Sequence, residues 1–200
     1  MPGEGMIAGL ILAAGESSRM GQDKALLTYR GQTFLEAIIR TLRAAGLEQI
    51  AVVLGHHAEE IQRATNLRGI QVVINPNYRQ GQTTSLQAGL RALSAGALEA
   101  VVLCLVDHPA VSSKVVTHLL ATYRATRAPV VIPTFQGQRG HPVVIGRRLF
   151  DELLNLSADI GANTVFRAHR DETRFAEVDD RNVLLDVDDR EEYQRLQENG

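Results

Sequence analysis

Three stretches of the chain carry side chains whose types and spacing suit phosphate and metal chemistry. The first runs Leu12-Ala13-Ala14-Gly15-Glu16-Ser17-Ser18-Arg19-Met20-Gly21-Gln22-Asp23-Lys24. Small residues at Ala13, Ala14 and Gly15 let backbone N–H groups approach a triphosphate, while Arg19 offers its oxygens a planar fork and Lys24 a point charge. It is not a Walker A loop, because two residues separate Gly21 from Lys24 and no Ser or Thr follows the lysine. Nor is it the dinucleotide fingerprint, since Glu16 and Ser17 follow Gly15. Taken alone, the stretch fits equally a strand-ending turn with solvated charges.

The second stretch, Leu105-Val106-Asp107-His108-Pro109, ends an apolar run in a carboxylate. A single Asp completed by waters and phosphate oxygens suits Mg²⁺, which dehydrates reluctantly. Asp107 also fits a helix cap, although Ser112 is the more natural one. The third stretch is Asn182-Val183-Leu184-Leu185-Asp186-Val187-Asp188-Asp189. As an alternating strand it puts Asp186 and Asp188 on one face, where they repel unless a cation or water lies between them. A solvated acidic turn is the other reading. His56, His57, His118 and His169 show no metal-binding spacing and read as surface or structural residues. Ser17 and Ser18 lack the Gly-x-Ser-x-Gly elbow of a serine hydrolase. The lone Cys104, inside the apolar run Val101 to Val106, reads as a buried structural thiol in a reducing compartment.

The elements that must position these residues follow from hydrophobic patterning. Short apolar runs at Ile7 to Ala14, Ile50 to Leu54, Gln71 to Ile74, Ala100 to Val106 and Val130 to Pro133 have the look of parallel strands buried on both faces. Between them lie helical patterns: Thr33 to Ala45 ending at Gly46, Ala58 to Thr65, Thr83 to Leu93 ending near Gly96, and Ser112 to Arg127. Thr33 followed three residues later by Glu36 is a capping box. Beyond Val130 the spacing predicts a strand at Val143 to Ile145, helices near Arg147 to Leu154 and Gly161 to Arg170, strands near Phe175 and Val183, and a helix from Arg190 to Gln197. The βα alternation predicts a three-layer α/β sandwich, and no linker divides residues 1–200 into further domains. In such sheets ligands bind outside the carboxyl ends of the strands, which is where the loops after Ala14 and Val106 fall.

With 200 residues, 44% of them hydrophobic and 22% charged, the composition is that of a globular protein rather than a filament or a membrane carrier. A formal charge of −2 without a basic stripe, together with 4 Tyr, 5 Phe and no Trp, disfavours nucleic acid as a partner. The run Met6 to Ala14 lacks the basic flank of a secretory signal, so a cytoplasmic protein with no membrane partner is expected.

The first stretch fills every fixed position of the LAAGxSxRMGxxK signature, and so resembles nucleotidyltransferases related to the molybdenum cofactor cytidylyl- and guanylyltransferases. Three more segments are similar to that family's motifs in the same order. These are Asn75 to Leu86, Gly137-Gln138-Arg139-Gly140-His141-Pro142-Val143, and Asn182 to Asp189, where Asp189, Arg190 and Glu192 depart from the family pattern. Ser157-Ala158-Asp159-Ile160-Gly161-Ala162-Asn163 matches less closely, with Ala158 for Gly and Asn163 for Arg.

The resemblance implies a Rossmann-like, glycosyltransferase-A-type nucleotidyltransferase fold with a mostly parallel sheet. It implies nucleotide contacts from Leu12, Ala13, Ala14, Gly15, Arg19, Lys24, Gly81 and Ser85, with Arg19, Lys24 and Asp107 as the catalytic groups. Mg²⁺ falls to Asp107 and Asp188, and the acceptor to His108, Gly140, His141 and Asp159. In that family Leu-Ala-Ala-Gly accompanies cytidine nucleotides, so Ala14 points to CTP and a molybdopterin-type acceptor, with a molybdenum enzyme receiving the product. Transfer from GTP or another triphosphate to a sugar phosphate or other small phosphorylated acceptor is the enzymatic alternative. A non-catalytic delivery protein and an NAD-dependent oxidoreductase are the alternatives from other classes.

Overall fold

The computed structural model describes residues 5–17, 20–94 and 98–198. In chain order the elements are β1 (Met6–Ala13), β2 (Thr28–Tyr29), β3 (Gln32–Thr33), α1 (Phe34–Ala44), β4 (Ile50–Leu54), α2 (Ala58–Ala64), β5 (Gln71–Ile74), α3 (Gln82–Leu93), β6 (Leu98–Leu105), α4 (Ser113–Thr126), β7 (Val130–Phe135), β8 (Gln138–Arg139), β9 (Val143–Gly146), α5 (Phe150–Leu154), α6 (Asn163–Ala168), β10 (Arg174–Glu177) and α7 (Arg190–Glu198).

The main sheet runs β10-β7-β9-β6-β1-β4-β5, with β8 paired to β7. Pairings β1 with β4, β1 with β6, β4 with β5 and β7 with β10 are parallel, and β9 is antiparallel to both its neighbours. The mostly parallel α/β sandwich expected from the alternation is therefore present. The interior strand β1 is apolar throughout because both its faces are covered. Ile7, Ile11 and Ala13 face one core with Leu35, Ile38 and Leu42 of α1 and Val116 and Leu119 of α4. Ala8, Leu10 and Leu12 face the other with Leu86 and Leu90 of α3 and Phe150 of α5.

Local chemistry sets the boundaries. At the start of α1 the Thr33 hydroxyl accepts from the Glu36 backbone N–H, and the Glu36 carboxylate accepts from the Thr33 N–H, which completes the capping box. Gly46 ends this helix at φ +85°, while Gly96 lies outside the described residues. Ser112 precedes α4, yet its side chain makes no capping bond.

The strand expected near Val183 is absent. Residues Arg181–Leu184 form a 3-10 turn, started by the Asp180 carboxylate, which accepts from the Asn182 N–H. The alternating Val183, Leu185 and Val187 read as a strand, but the two valines are buried as anchors of a strap that crosses the site instead. Val183 accepts from the His141 N–H at 2.9 Å, and the Val187 N–H donates to the Asp107 carbonyl at 3.0 Å. Val187 also shares a small core with Met20, Leu27, Phe34 and Leu196, which joins the strap to the flank of the first loop.

Candidate nucleotide site

The carboxyl ends of β1 and β6 open onto a cleft of about 300 Å³. Of the residues expected to bind nucleotide or metal, Leu12, Ala13, Ala14, Gly15, Lys24, Ser85, Asp107 and Asp188 line it. Arg19, expected on the triphosphate, lies outside the described residues. The parallel strands bring the two loops together because β1 and β6 are adjacent and in register, Leu12 against Leu105. Gly55, at the end of β4, admits the first loop. A Cβ there would lie 2.8 Å from the Ala14 carbonyl oxygen and 2.7 Å from Tyr78.

Lys24 stands at the centre of the charge arrangement. Its backbone N–H donates to Ser17 Oγ at 3.0 Å, and its ammonium donates to Asp107 Oδ2 at 3.3 Å and Asp188 Oδ1 at 2.5 Å. Asp186 and Asp188 do not share a strand face, and Asp188 reaches the lysine from a loop whose backbone N–H is held by Glu192 at 2.6 Å. The ammonium thus bridges two carboxylates that come from separate parts of the chain. Asp107 Oδ1 is buried with no hydrogen-bond partner. An acceptor orphaned in this way costs about 1–3 kcal/mol, so its retention fits a ligand that donates charge to it. Hard carboxylate oxygens are the donor set Mg²⁺ takes. The pair Asp107 and Asp188 thus fits the metal that the sequence implies.

Beside this pair the His108 and His141 rings lie 4.9 Å apart. Burial pushes His108 below the usual imidazole value, against the pull of Asp107. Burial, reinforced by His108, brings His141 down to about 4. Both rings are therefore neutral at neutral pH, and neither Nδ1 has a hydrogen-bond partner. Gly140 is required by the strap, because a Cβ there would sit 2.3 Å from the Val183 carbonyl oxygen. Gly81 turns at φ +122° into α3, close to the Ala158 carbonyl. Asp159 is exposed, held by Ser157 Oγ, and does not line the cleft.

Sequence reasoning passed over Asp23. It is buried, lines the cleft and accepts from His57 Nδ1 at 2.7 Å. His56 and His57, read as surface or structural, follow β4 and so fall beside the loop after β1. A histidine pair at the carboxyl end of a strand next to β1 was the available signal. Cys104 is buried as expected, its thiol pushed up to about 12 by burial alone.

A crevice at the carboxyl edge of such a sheet is where α/β proteins hold nucleotides. Residues 9–173 match the MobA-like NTP transferase domain, and the chain belongs to that family of nucleotidyltransferases. It is 31% identical over 202 residues, 95% of this chain and 96% of the relative, to nicotine blue oxidoreductase of Paenarthrobacter nicotinovorans. The molybdenum cofactor cytidylyltransferase of Escherichia coli is 27% identical over 69% of each chain. A probable molybdenum cofactor guanylyltransferase of Opitutus terrae is 34% identical over 54% of this chain and 50% of the relative. Among solved structures, Rv0371c of Mycobacterium tuberculosis superposes with a TM-score of 0.87 at 32% identity, covering 97% of this chain and 98% of that one.

Proposed function

We propose that residues 1–200 work as one unit, in the cytoplasm, that transfers CMP from CTP to a small phosphorylated acceptor of the molybdopterin type, releasing pyrophosphate. The observation that carries this reading is Lys24 clasped by Asp107 and Asp188 at the mouth of a loop of small residues. An acceptor phosphate oxygen forms the new bond to the α-phosphorus while the α–β bridging P–O bond breaks, its electrons leaving with pyrophosphate. A phosphate nucleophile is already ionised at neutral pH, so the chain has to position and neutralise rather than abstract a proton. Mg²⁺ on Asp107 and Asp188 would supply charge neutralisation at the phosphates.

The backbone of Ala13 to Gly15 cradles the triphosphate, with Arg19 and Lys24 meeting its oxygens. For Lys24 this means exchanging a carboxylate for a phosphate partner. Ser85 and Gly81 lie toward the nucleoside. Gly140 and the neutral rings of His108 and His141 would face the acceptor without adding charge of their own, and the Asp159 carboxylate would meet it from outside the cleft. Ala14 lines the cleft, and a methyl there leaves less room for a large base than a glycine would, which supports CTP over GTP. The likeness to the E. coli cytidylyltransferase supports the same choice, and the product would pass to a molybdenum enzyme.

A second reading, a redox enzyme, is favoured by the likeness to nicotine blue oxidoreductase along nearly the whole chain. Pyrophosphate release with Mg²⁺ and freshly liberated molybdenum cofactor, compared across CTP, GTP, ATP and UTP, separates the readings. Release with CTP is expected, reduced on the order of 10²–10³-fold in Asp107→Asn. Release with GTP instead overturns the base assignment. Triphosphate binding without release points to another acceptor or to a delivery protein. Tight NAD binding with no triphosphate binding overturns transfer in favour of the redox reading.

A further inference from the structure

The Asp23, His56 and His57 cluster lies beside the cleft but takes no part in the transfer proposed above. Each residue offers one ligand atom, and the three atoms lie within 4.8 Å of one another. We propose that they form a second cation site, for a borderline divalent transition ion such as Zn²⁺ or Co²⁺, separate from the carboxylate pair Asp107 and Asp188.

The separations suit a single ion. His57 Nδ1 is 2.7 Å from Asp23 Oδ2, and His56 Nδ1 is 3.9 Å from Asp23 Oδ1. Ligands about 2.0–2.1 Å from a tetrahedral ion stand roughly 3.3 Å from each other, between these two values. Two imidazoles with one carboxylate form the donor set of Zn²⁺ and its neighbours rather than of Mg²⁺ or Ca²⁺.

An ordinary ion pair accounts for His57 and Asp23, but not for His56. Its Nδ1 is buried, has no hydrogen-bond partner, and stands too far from Asp23 to make a bond. The two rings are nevertheless gathered together, 3.7 Å between centroids, with His57 in the left-handed region at φ +47°. Two further carboxylates face the site: Glu60 Oε2 stands 3.9 Å from His57 Nδ1, and Glu16 interacts with His56 through its charge.

Such an ion fastens Asp23, and with it the adjacent Lys24, to the end of β4. That segment already holds the loop through a bond from the His56 N–H to the Ala14 carbonyl at 3.2 Å. The residues of this site are therefore positioning residues for the phosphate loop.

The test uses the full chain freed of metal by dialysis against a chelator and titrated with Co²⁺ under a visible spectrophotometer. A ligand-field band that saturates at one ion per chain is expected, and it persists in an Asp107→Asn/Asp188→Asn double variant. His56→Ala and His57→Ala each weaken Co²⁺ binding by about tenfold or more, at least matching the loss of an outer-shell partner. In parallel, Zn²⁺ raises the melting temperature of the parent but not of His57→Ala. His57 is half exposed, so that variant decides the matter even if His56→Ala fails to fold. Absence of a band, a band lost with the two aspartates, or unchanged affinity in His57→Ala overturns the site and leaves an ion pair only. None of these outcomes depends on the transfer reaction.

Discussion

Lys24 is paired in a way its neighbours in sequence do not reveal. Its position after a loop of small residues marks a phosphate contact, yet its ammonium rests between Asp107 and Asp188. Residue types and spacing singled out Asp107 and Lys24, which sit at a strand end and in a recognisable loop, whereas Asp188 was marked by the resemblance of its segment to the family motif. Asp23 and the two histidines went unmarked, since the histidine pair at the end of β4 gains a meaning only once tertiary structure sets it beside the first loop. The buried histidines beside Asp107 give a prediction at this scale. His141 titrates near 4 in the folded protein against an ordinary 6.5, because burial penalises its charged form. The unfolded chain therefore binds the extra proton between those values, so stability is undiminished above pH 6.5 and falls as pH drops toward 4. The loss reaches about 3 kcal/mol at most. Denaturant unfolding from pH 8 to pH 4.5 checks this, and His141→Gln is expected to flatten the slope.

Among the elements, β1, β4, β5, β6, β7 and the first four helices were legible because continuous apolar runs and 3.6-residue periodicity survive in the sequence. What periodicity does not carry is direction, so the antiparallel course of β9 between β6 and β7 was not visible. The hairpin of β2 and β3 also escaped, its strands being only two residues each. Its turn at Arg30 and Gly31 has positive φ at both positions, the conformation that favours such tight hairpins. The Val183 segment misled because alternating valines bury equally well from a strap. Two outcomes follow for elements. Thr33→Ala removes the hydroxyl that caps α1 and is expected to cost about 1 kcal/mol, seen in calorimetry as a melting point roughly 2–4 °C lower. Gly140→Ala forces a methyl against the Val183 carbonyl, costs about 1–3 kcal/mol, and moves the strap that carries Asp188. Its loss of triphosphate affinity should therefore exceed that of Thr33→Ala, which leaves the cleft intact.

Across the whole molecule, the cleft is walled by the sheet edge, the first loop and the strap, so a ligand there touches segments from distant parts of the chain. No helix among the described residues is long and apolar enough to cross a membrane. CTP with Mg²⁺ at about one hundred times its dissociation constant should stabilise the fold by about 2.7 kcal/mol. Differential scanning fluorimetry is expected to show a melting point roughly 5–10 °C higher, a shift that Asp188→Asn largely removes. Lys24 meets Asp107 across 83 residues of sequence and Asp188 across 164. Contacts of that span form only after most of the chain has been ordered, because loop closure must precede them. A partly folded chain therefore offers one carboxylate or neither, and the ability to hold a triphosphate emerges only on completion. During refolding, nucleotide affinity should return with the slowest phase rather than with the first recovery of helix, which makes the cleft its own report on whether the molecule has finished folding.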